Sequence, residues 1–158
     1  MFKAILFDLD GTLLQIDMEV FLQYYFAEMI NAAKVAGYQD GKKLVEQVFN
    51  STSLMISDLS PAVLNEEAFM GDFLPRCDYP EEEVRAFFDH FYLQYFPLLK
   101  VHCRPFPGIP GMMQDLFQRG FKVVIATNPV FPREAIRQRL EWAGIADFPY
   151  ALVTSYEE

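Results

Sequence analysis

The hydrophobic pattern changes character along the chain, and these changes predict the order of its elements. A short apolar run at residues 4–7 precedes a turn signal, which is typical of a fully buried strand. From about residue 15 to residue 100, apolar positions recur at helical spacing and no strand pattern interrupts them. Strand and helix patterns then alternate to the end of the sequence. Helices are predicted there at 112–119 and 132–143, and strands at 121–126 and 150–154.

Four helices are predicted within the long helical segment, at residues 17–36, 41–56, 60–74 and 80–96. Asp17 is the expected N-cap of the first of them. Ser60 and Pro61 stand where a third helix would begin, since serine is a good N-cap and proline is tolerated in the first turn. The short stretches on either side of this segment, 14–16 and 100–107, are predicted to be linkers.

Composition narrows the classes of protein that fit this pattern. Hydrophobic residues make up 52% of the 158 residues and aromatic residues 16%, so a packed core is expected and disorder is not. The net charge of −9, without a cluster of lysine or arginine, argues against nucleic acid as a partner. No apolar stretch is long enough to cross a membrane. Two cysteines without a disulfide or zinc pattern favour a reduced, cytoplasmic setting.

The first candidate site follows the opening strand. Asp8 and Asp10 stand two residues apart at its end, and Gly11 allows the chain to turn away directly after them. Two carboxylates that approach each other need a proton or a cation between them, and Mg²⁺ is the usual cation when oxygen ligands are available. The simpler alternative is a buried strand followed by a solvated Asp-Gly turn.

The second candidate site follows the strand at 121–126. Thr127 and Asn128 come directly after it, at the edge where the acids of the first strand are expected. A threonine hydroxyl and nearby backbone N–H groups can bind phosphate oxygens. Taken alone, this stretch is also compatible with a capping turn that leads into the next helix.

These two stretches carry a resemblance to a known family. The run Phe7-Asp8-Leu9-Asp10-Gly11-Thr12 resembles the first motif of the haloacid dehalogenase-like hydrolase superfamily, and residues 107–128 are similar to its second motif. The resemblance implies an α/β fold with a Rossmann-like parallel sheet, incomplete here. It also implies a core at residues 1–14 and 105–158, with an all-helical cap inserted at 15–104.

The resemblance also implies a chemistry, in which phosphoryl transfer from a small phosphorylated metabolite depends on Mg²⁺. Asp8 would be the nucleophile that forms an aspartyl-phosphate, and Asp10 the general acid and base. Mg²⁺ would bind the Asp8 carboxylate and the Asp10 backbone carbonyl, and Thr127 and Asn128 would hold the transferred phosphoryl group. An acid at position 10 favours phosphate-ester chemistry, since the dehalogenase members lack it.

The sequence departs from the family pattern at its end. The third motif, which carries a lysine, and the fourth, which supplies further acids for Mg²⁺, would both follow residue 158. We therefore expect the N-terminal part of a longer protein, with weak or no turnover, or alternatively a catalytically incomplete relative that binds a ligand or partner. The strand at residues 3–7 would be an exposed edge. We expect a second copy, a domain swap or a further part of the protein to cover it.

Overall fold

The computed structural model describes residues 3–158. Met1 and Phe2, which the predicted core includes, lie outside the described residues. The helices are Met18–Val35 (α1), Gly41–Ser57 (α2), Asn65–Phe73 (α3), Glu81–Gln94 (α4), Ile109–Gln118 (α5) and Arg133–Trp142 (α6). The strands are Ala4–Phe7 (β1), Leu14–Ile16 (β2), Cys103–Pro105 (β3), Lys122–Ile125 (β4) and Leu152–Val153 (β5). Across residues 3–158, no helix is both long enough and apolar enough to pass through a bilayer.

The central layer is a parallel sheet with the strand order β1-β4-β5. Its register aligns Phe7 with Ile125 and Ile125 with Val153, so the three strands end together. The prediction of an α/β fold with a parallel sheet is therefore confirmed. Within the described residues, β1 pairs on one side only, and Leu6 is 65% exposed. What covers this edge stays a prediction.

Each of the two predicted linkers contains a short strand that the sequence pattern did not predict. Strands β2 and β3 pair antiparallel, with Leu14 opposite Pro105 and Ile16 opposite Cys103. The pair forms a short ribbon at the point where the chain enters and leaves helices α1–α4. Three residues are too few to show an alternating pattern, so pairing with a distant segment defines these strands.

The third predicted helix begins later than expected, which corrects the sequence interpretation. Ser60 lies before the helix, where its backbone N–H donates to Asp58 Oδ1 at 2.8 Å. Helix α3 instead begins at Asn65, where the Glu67 carboxylate accepts from the Leu64 N–H at 3.1 Å. By contrast, the prediction for Asp17 is confirmed, since its side chain accepts from the Val20 N–H at 3.1 Å and caps α1.

One apolar core connects the sheet layer to helices α1–α4. The Phe96 ring stacks on Trp142 of α6 with the ring centroids 5.4 Å apart, and Phe21 of α1 meets the Phe96 ring edge-on at 5.9 Å. All three side chains are buried. The division into a core at 1–14 and 105–158 and a cap at 15–104 stays a prediction.

Candidate active site

The carboxyl ends of β1 and β4 bring the two predicted motifs side by side. The Ala126 N–H donates to the Phe7 carbonyl at 2.7 Å, directly beyond the last paired residues of the strands. Asp8 and Thr127, which follow these two neighbouring strands, therefore lie at the same edge of the sheet. The Thr154 hydroxyl donates to the Thr127 carbonyl at 2.6 Å and holds that strand end from the other side.

The loop after β1 is organised around one buried residue. The carbonyl of Leu9, whose side chain is fully buried, accepts from the N–H groups of Thr12, Leu13 and Leu14 at 3.2, 2.9 and 3.0 Å. The Thr12 hydroxyl donates to Asp8 Oδ2 at 3.1 Å. These bonds close a tight turn and orient the Asp8 carboxylate.

Gly11 makes this turn possible, because its φ is +78°, a value that L side chains rarely adopt. Apart from the two adjacent residues, no atom of the described chain lies within 4 Å of a Cβ built there, so the cost of Gly11→Ala is conformational rather than steric. We expect this substitution to lower the free energy of unfolding by about 1–2 kcal/mol, measured by urea denaturation. Gly71→Ala is the control, since Gly71 lies in helix α3 and its Cβ would also meet open space.

The control substitution should raise the free energy of unfolding by about 0.5 kcal/mol, because alanine favours a helix more than glycine does. If Gly11→Ala behaved like Gly71→Ala, the turn would not depend on the left-handed conformation.

The four residues singled out from the sequence line a single cavity of about 360 Å³. Asp8, Asp10, Thr127 and Asn128 all contribute to its wall. Asp8 and Asn128 are exposed, whereas Thr127 is buried. The cavity is completed by side chains of α1 and α2 and of the loop that precedes α6. Two strand ends and the helical segment thus meet at one place.

A buried cation, Arg139 of α6, lies directly behind the acids. Its Nη1 donates to Asp10 Oδ2, and its side chain is 1% exposed against 16% for Asp10. The guanidinium carbon lies 4.3 Å from the centroid of the Phe131 ring, and Nε donates to the Ala135 carbonyl at 3.3 Å. Asp10 Oδ1 and Arg139 Nη2 are buried without a partner among the described residues. The pair fixes Asp10 but leaves one oxygen free.

Burial has the largest effect on the pKa values of Asp10 and Arg139. Desolvation raises the pKa of Asp10, the Arg139 guanidinium lowers it, and the Asp8 carboxylate raises it again, with a net upward direction. Desolvation likewise lowers the pKa of Arg139, against the opposing charge of Asp10. An aspartic acid with a raised pKa retains its proton closer to neutral pH, which is what a general acid requires.

Sequence reasoning did not single out Arg139, although a signal for it was present. On the helix pattern at 132–143, Ala135, Ile136, Leu140 and Ala143 form the apolar face, and position 139 lies on that face. A charged residue at a core position needs a buried partner of opposite charge. An arginine at this position therefore predicts a buried acid as its partner, but the sequence does not identify which acid it is.

The donor set at the site suits Mg²⁺. Asp8 offers an exposed carboxylate, and Asp10, whose backbone carbonyl is the second expected ligand, lines the same cavity. Mg²⁺ prefers such hard oxygen ligands, and it is commonly held by one or two carboxylates together with substrate phosphate and water. Within residues 3–158, no group of three or more histidine, cysteine or acidic side chains could enclose a metal. The residues fit a shared, open Mg²⁺ site.

A family model for the haloacid dehalogenase-like hydrolases matches residues 2–158. The chain belongs to this family. The resemblance of the first and second motifs is thereby confirmed, and with it the assignment as a haloacid dehalogenase-like hydrolase. No curated protein matches the chain significantly.

Two solved structures are similar to this haloacid dehalogenase-like chain. One, from Haemophilus somnus 129pt, is described as a predicted phosphoglycolate phosphatase and is 18% identical, with a TM-score of 0.49. The other, from Lactobacillus delbrueckii subsp. bulgaricus ATCC BAA-365, is likewise described as an inferred phosphoglycolate phosphatase and is 20% identical, with a TM-score of 0.38. The matches cover 99% and 97% of this chain, but only 63% and 64% of the two relatives.

Proposed function

We propose that this site carries out Mg²⁺-dependent phosphoryl transfer from a small phosphorylated metabolite. The observation that supports the proposal is the meeting of Asp8, Asp10, Thr127 and Asn128 in one cavity, at the carboxyl edge of a parallel sheet. Ligands of open α/β sheets bind at this edge. The cytoplasmic setting expected from the cysteines belongs to the same proposal.

Asp8 is the proposed nucleophile. Its carboxylate is exposed to the cavity and oriented by the Thr12 hydroxyl at 3.1 Å. Attack of one carboxylate oxygen on phosphorus forms an aspartyl-phosphate and releases the alcohol of the substrate. Water then attacks the phosphorus of this intermediate, which regenerates Asp8 and releases inorganic phosphate.

Asp10 is the proposed general acid for the first step and general base for the second. Burial raises its pKa, so that it can hold a proton for the leaving oxygen. Thr127 and Asn128 would hold the phosphoryl oxygens. Mg²⁺, bound at the Asp8 carboxylate and the Asp10 backbone carbonyl, would supply positive charge that neutralises the transferred group.

A second candidate function is supported by the ion pair behind the acids. Arg139 occupies one oxygen of Asp10, and no third acid lines the described cavity. A site with this donor set would bind Mg²⁺ and a phosphorylated ligand weakly and turn the ligand over slowly. The alternative is therefore a catalytically incomplete member of the family that binds a ligand or a partner.

Hydrolysis of p-nitrophenyl phosphate by the full chain tests the proposal. We expect slow hydrolysis that requires millimolar Mg²⁺, stops on addition of EDTA and returns with excess Mg²⁺, because Asp8 and Asp10 are the only acids that line the described cavity. Release of p-nitrophenolate is the measurement. Hydrolysis that is unaffected by EDTA would contradict the role of the metal. An absence of hydrolysis at saturating Mg²⁺ would favour the binding-protein alternative.

A further inference from the structure

Most of the wall of the active-site cavity is contributed by the helical segment rather than by the two strand ends. Apolar side chains from α1, α2 and the loop before α6 surround the space above Asp8 and Thr127. They include Met18, Leu22, Phe26, Phe49, Ile56 and Phe131. The leaving group of a phosphate ester bound at Asp8 would lie against this wall.

Helix α2 presents a second apolar face that the protein core does not use. Its buried apolar side chains, Leu44, Val48 and Met55, belong to the core, and Val48 also contributes to the cavity wall. Phe49 and Ile56 line the cavity as well, but they remain 59% and 56% exposed. Large apolar side chains that are exposed on one surface beside a polar site indicate that this surface binds an apolar group.

The charges that line the cavity also indicate a ligand whose leaving group is not anionic. Asp8 and Asp10 are the only charged side chains that line it in the described part of the chain, and both are acids. The buried guanidinium of Arg139 is held by Asp10 and does not line the cavity. A leaving group that carries a carboxylate or a second phosphate would find no cation there, and its desolvation would be uncompensated.

From these observations we infer that the site selects phosphate monoesters whose leaving group is uncharged and largely apolar. The inference rests on the proposed function for the position of the phosphoryl group. The wall formed by Phe49, Ile56 and Phe26 buries the apolar part of the leaving group. Thr52 and Ser53 also line the cavity, and the Ser53 hydroxyl already donates to the Phe49 carbonyl at 2.9 Å.

Binding of phosphonates that cannot be hydrolysed tests the inference separately from turnover. Isothermal titration of the full chain with Mg²⁺ would compare phenylphosphonate with 4-carboxyphenylphosphonate, and propylphosphonate with 2,3-dihydroxypropylphosphonate. We expect the apolar member of each pair to bind about tenfold more tightly or better, because burial of an unpaired hydroxyl or carboxylate is costly. Equal affinities, a reversed preference or a failure of every phosphonate to bind would overturn the inference.

A matched pair of variants on one helix locates the selective surface. Phe49→Ser should reduce the ratio of phenylphosphonate to methylphosphonate affinity by about threefold to tenfold, because it removes apolar surface from the wall. Leu54→Ser is the control, since Leu54 is also on α2, is 43% exposed and does not line the cavity. That ratio should be unchanged in the control. An equal change in both variants would contradict the assigned surface.

Turnover of phenyl phosphate and 4-carboxyphenyl phosphate separates the two proposals. Selective binding of the apolar phosphonates without hydrolysis of either ester would reject the proposed phosphoryl transfer and retain the inferred selectivity. Hydrolysis of both esters with equal kcat/KM would retain phosphoryl transfer and reject the selectivity.

Discussion

Replacement of Arg139 by methionine is expected to lower the free energy of unfolding by about 3–5 kcal/mol, the range observed when one partner of a buried ion pair is removed. The side chain of Arg139 is 1% exposed and donates to Asp10, whose own side chain is 16% exposed. Without the guanidinium, Asp10 keeps its burial but loses its compensating charge. The urea midpoint at neutral pH measures the effect.

Arg137→Met is the matched control for this prediction. Arg137 lies on the same helix and pairs with Glu134 and Glu141, but its side chain is 51% exposed. An exposed ion pair contributes about 0–1 kcal/mol, so the control should change the urea midpoint little. Equal effects of the two substitutions would show that burial of the Asp10–Arg139 pair does not govern stability.

A double variant keeps the prediction testable if Arg139→Met fails to fold. Asp10→Asn together with Arg139→Met removes both charges, so no uncompensated carboxylate remains in the protein. We expect the double variant to be more stable than Arg139→Met alone. The cost of the single substitution comes largely from the buried Asp10 carboxylate, which is left without a compensating charge. A double variant that is less stable than the single one would contradict this explanation.

Substitution of Asp8 by asparagine is expected to reduce p-nitrophenyl phosphate hydrolysis by roughly 10³-fold or more, as found when a catalytic nucleophile is lost. The amide keeps the shape of the side chain and can still accept from the Thr12 hydroxyl, whereas its oxygen is a poor nucleophile. Asp8 is exposed, so the free energy of unfolding should stay within about 0.5 kcal/mol of the original value.

Asp147→Asn is the control for charge, because it removes one exposed carboxylate from the loop after α6 and does not alter the cavity. Its hydrolysis rate should equal that of the unsubstituted chain. Mass spectrometry after acid quenching should detect a phosphoryl adduct on the unsubstituted chain and on Asp147→Asn, and none on Asp8→Asn. An adduct that persists in Asp8→Asn would assign the nucleophile to another residue.

The sequence by itself determined the elements whose signals are local. The apolar runs before Asp8 and before Thr127 predicted strands β1 and β4, and the parallel register then brings the two strand ends together. The Asp17 side chain caps α1 as its position predicts. Periodicity and capping depend on residues only a few positions apart, which is why such features can be recognised in a single sequence.

Only the tertiary structure decided which distant segments meet. Asp10 and Arg139 are 129 positions apart, and nothing near either residue identifies its partner. Strands β2 and β3 are three residues each and exist through pairing with one another, and the wall of α2 above Asp8 depends on how the helices pack on the sheet. These contacts form because burial and hydrogen bonding act between surfaces that folding brings together, and that information is spread over the whole chain.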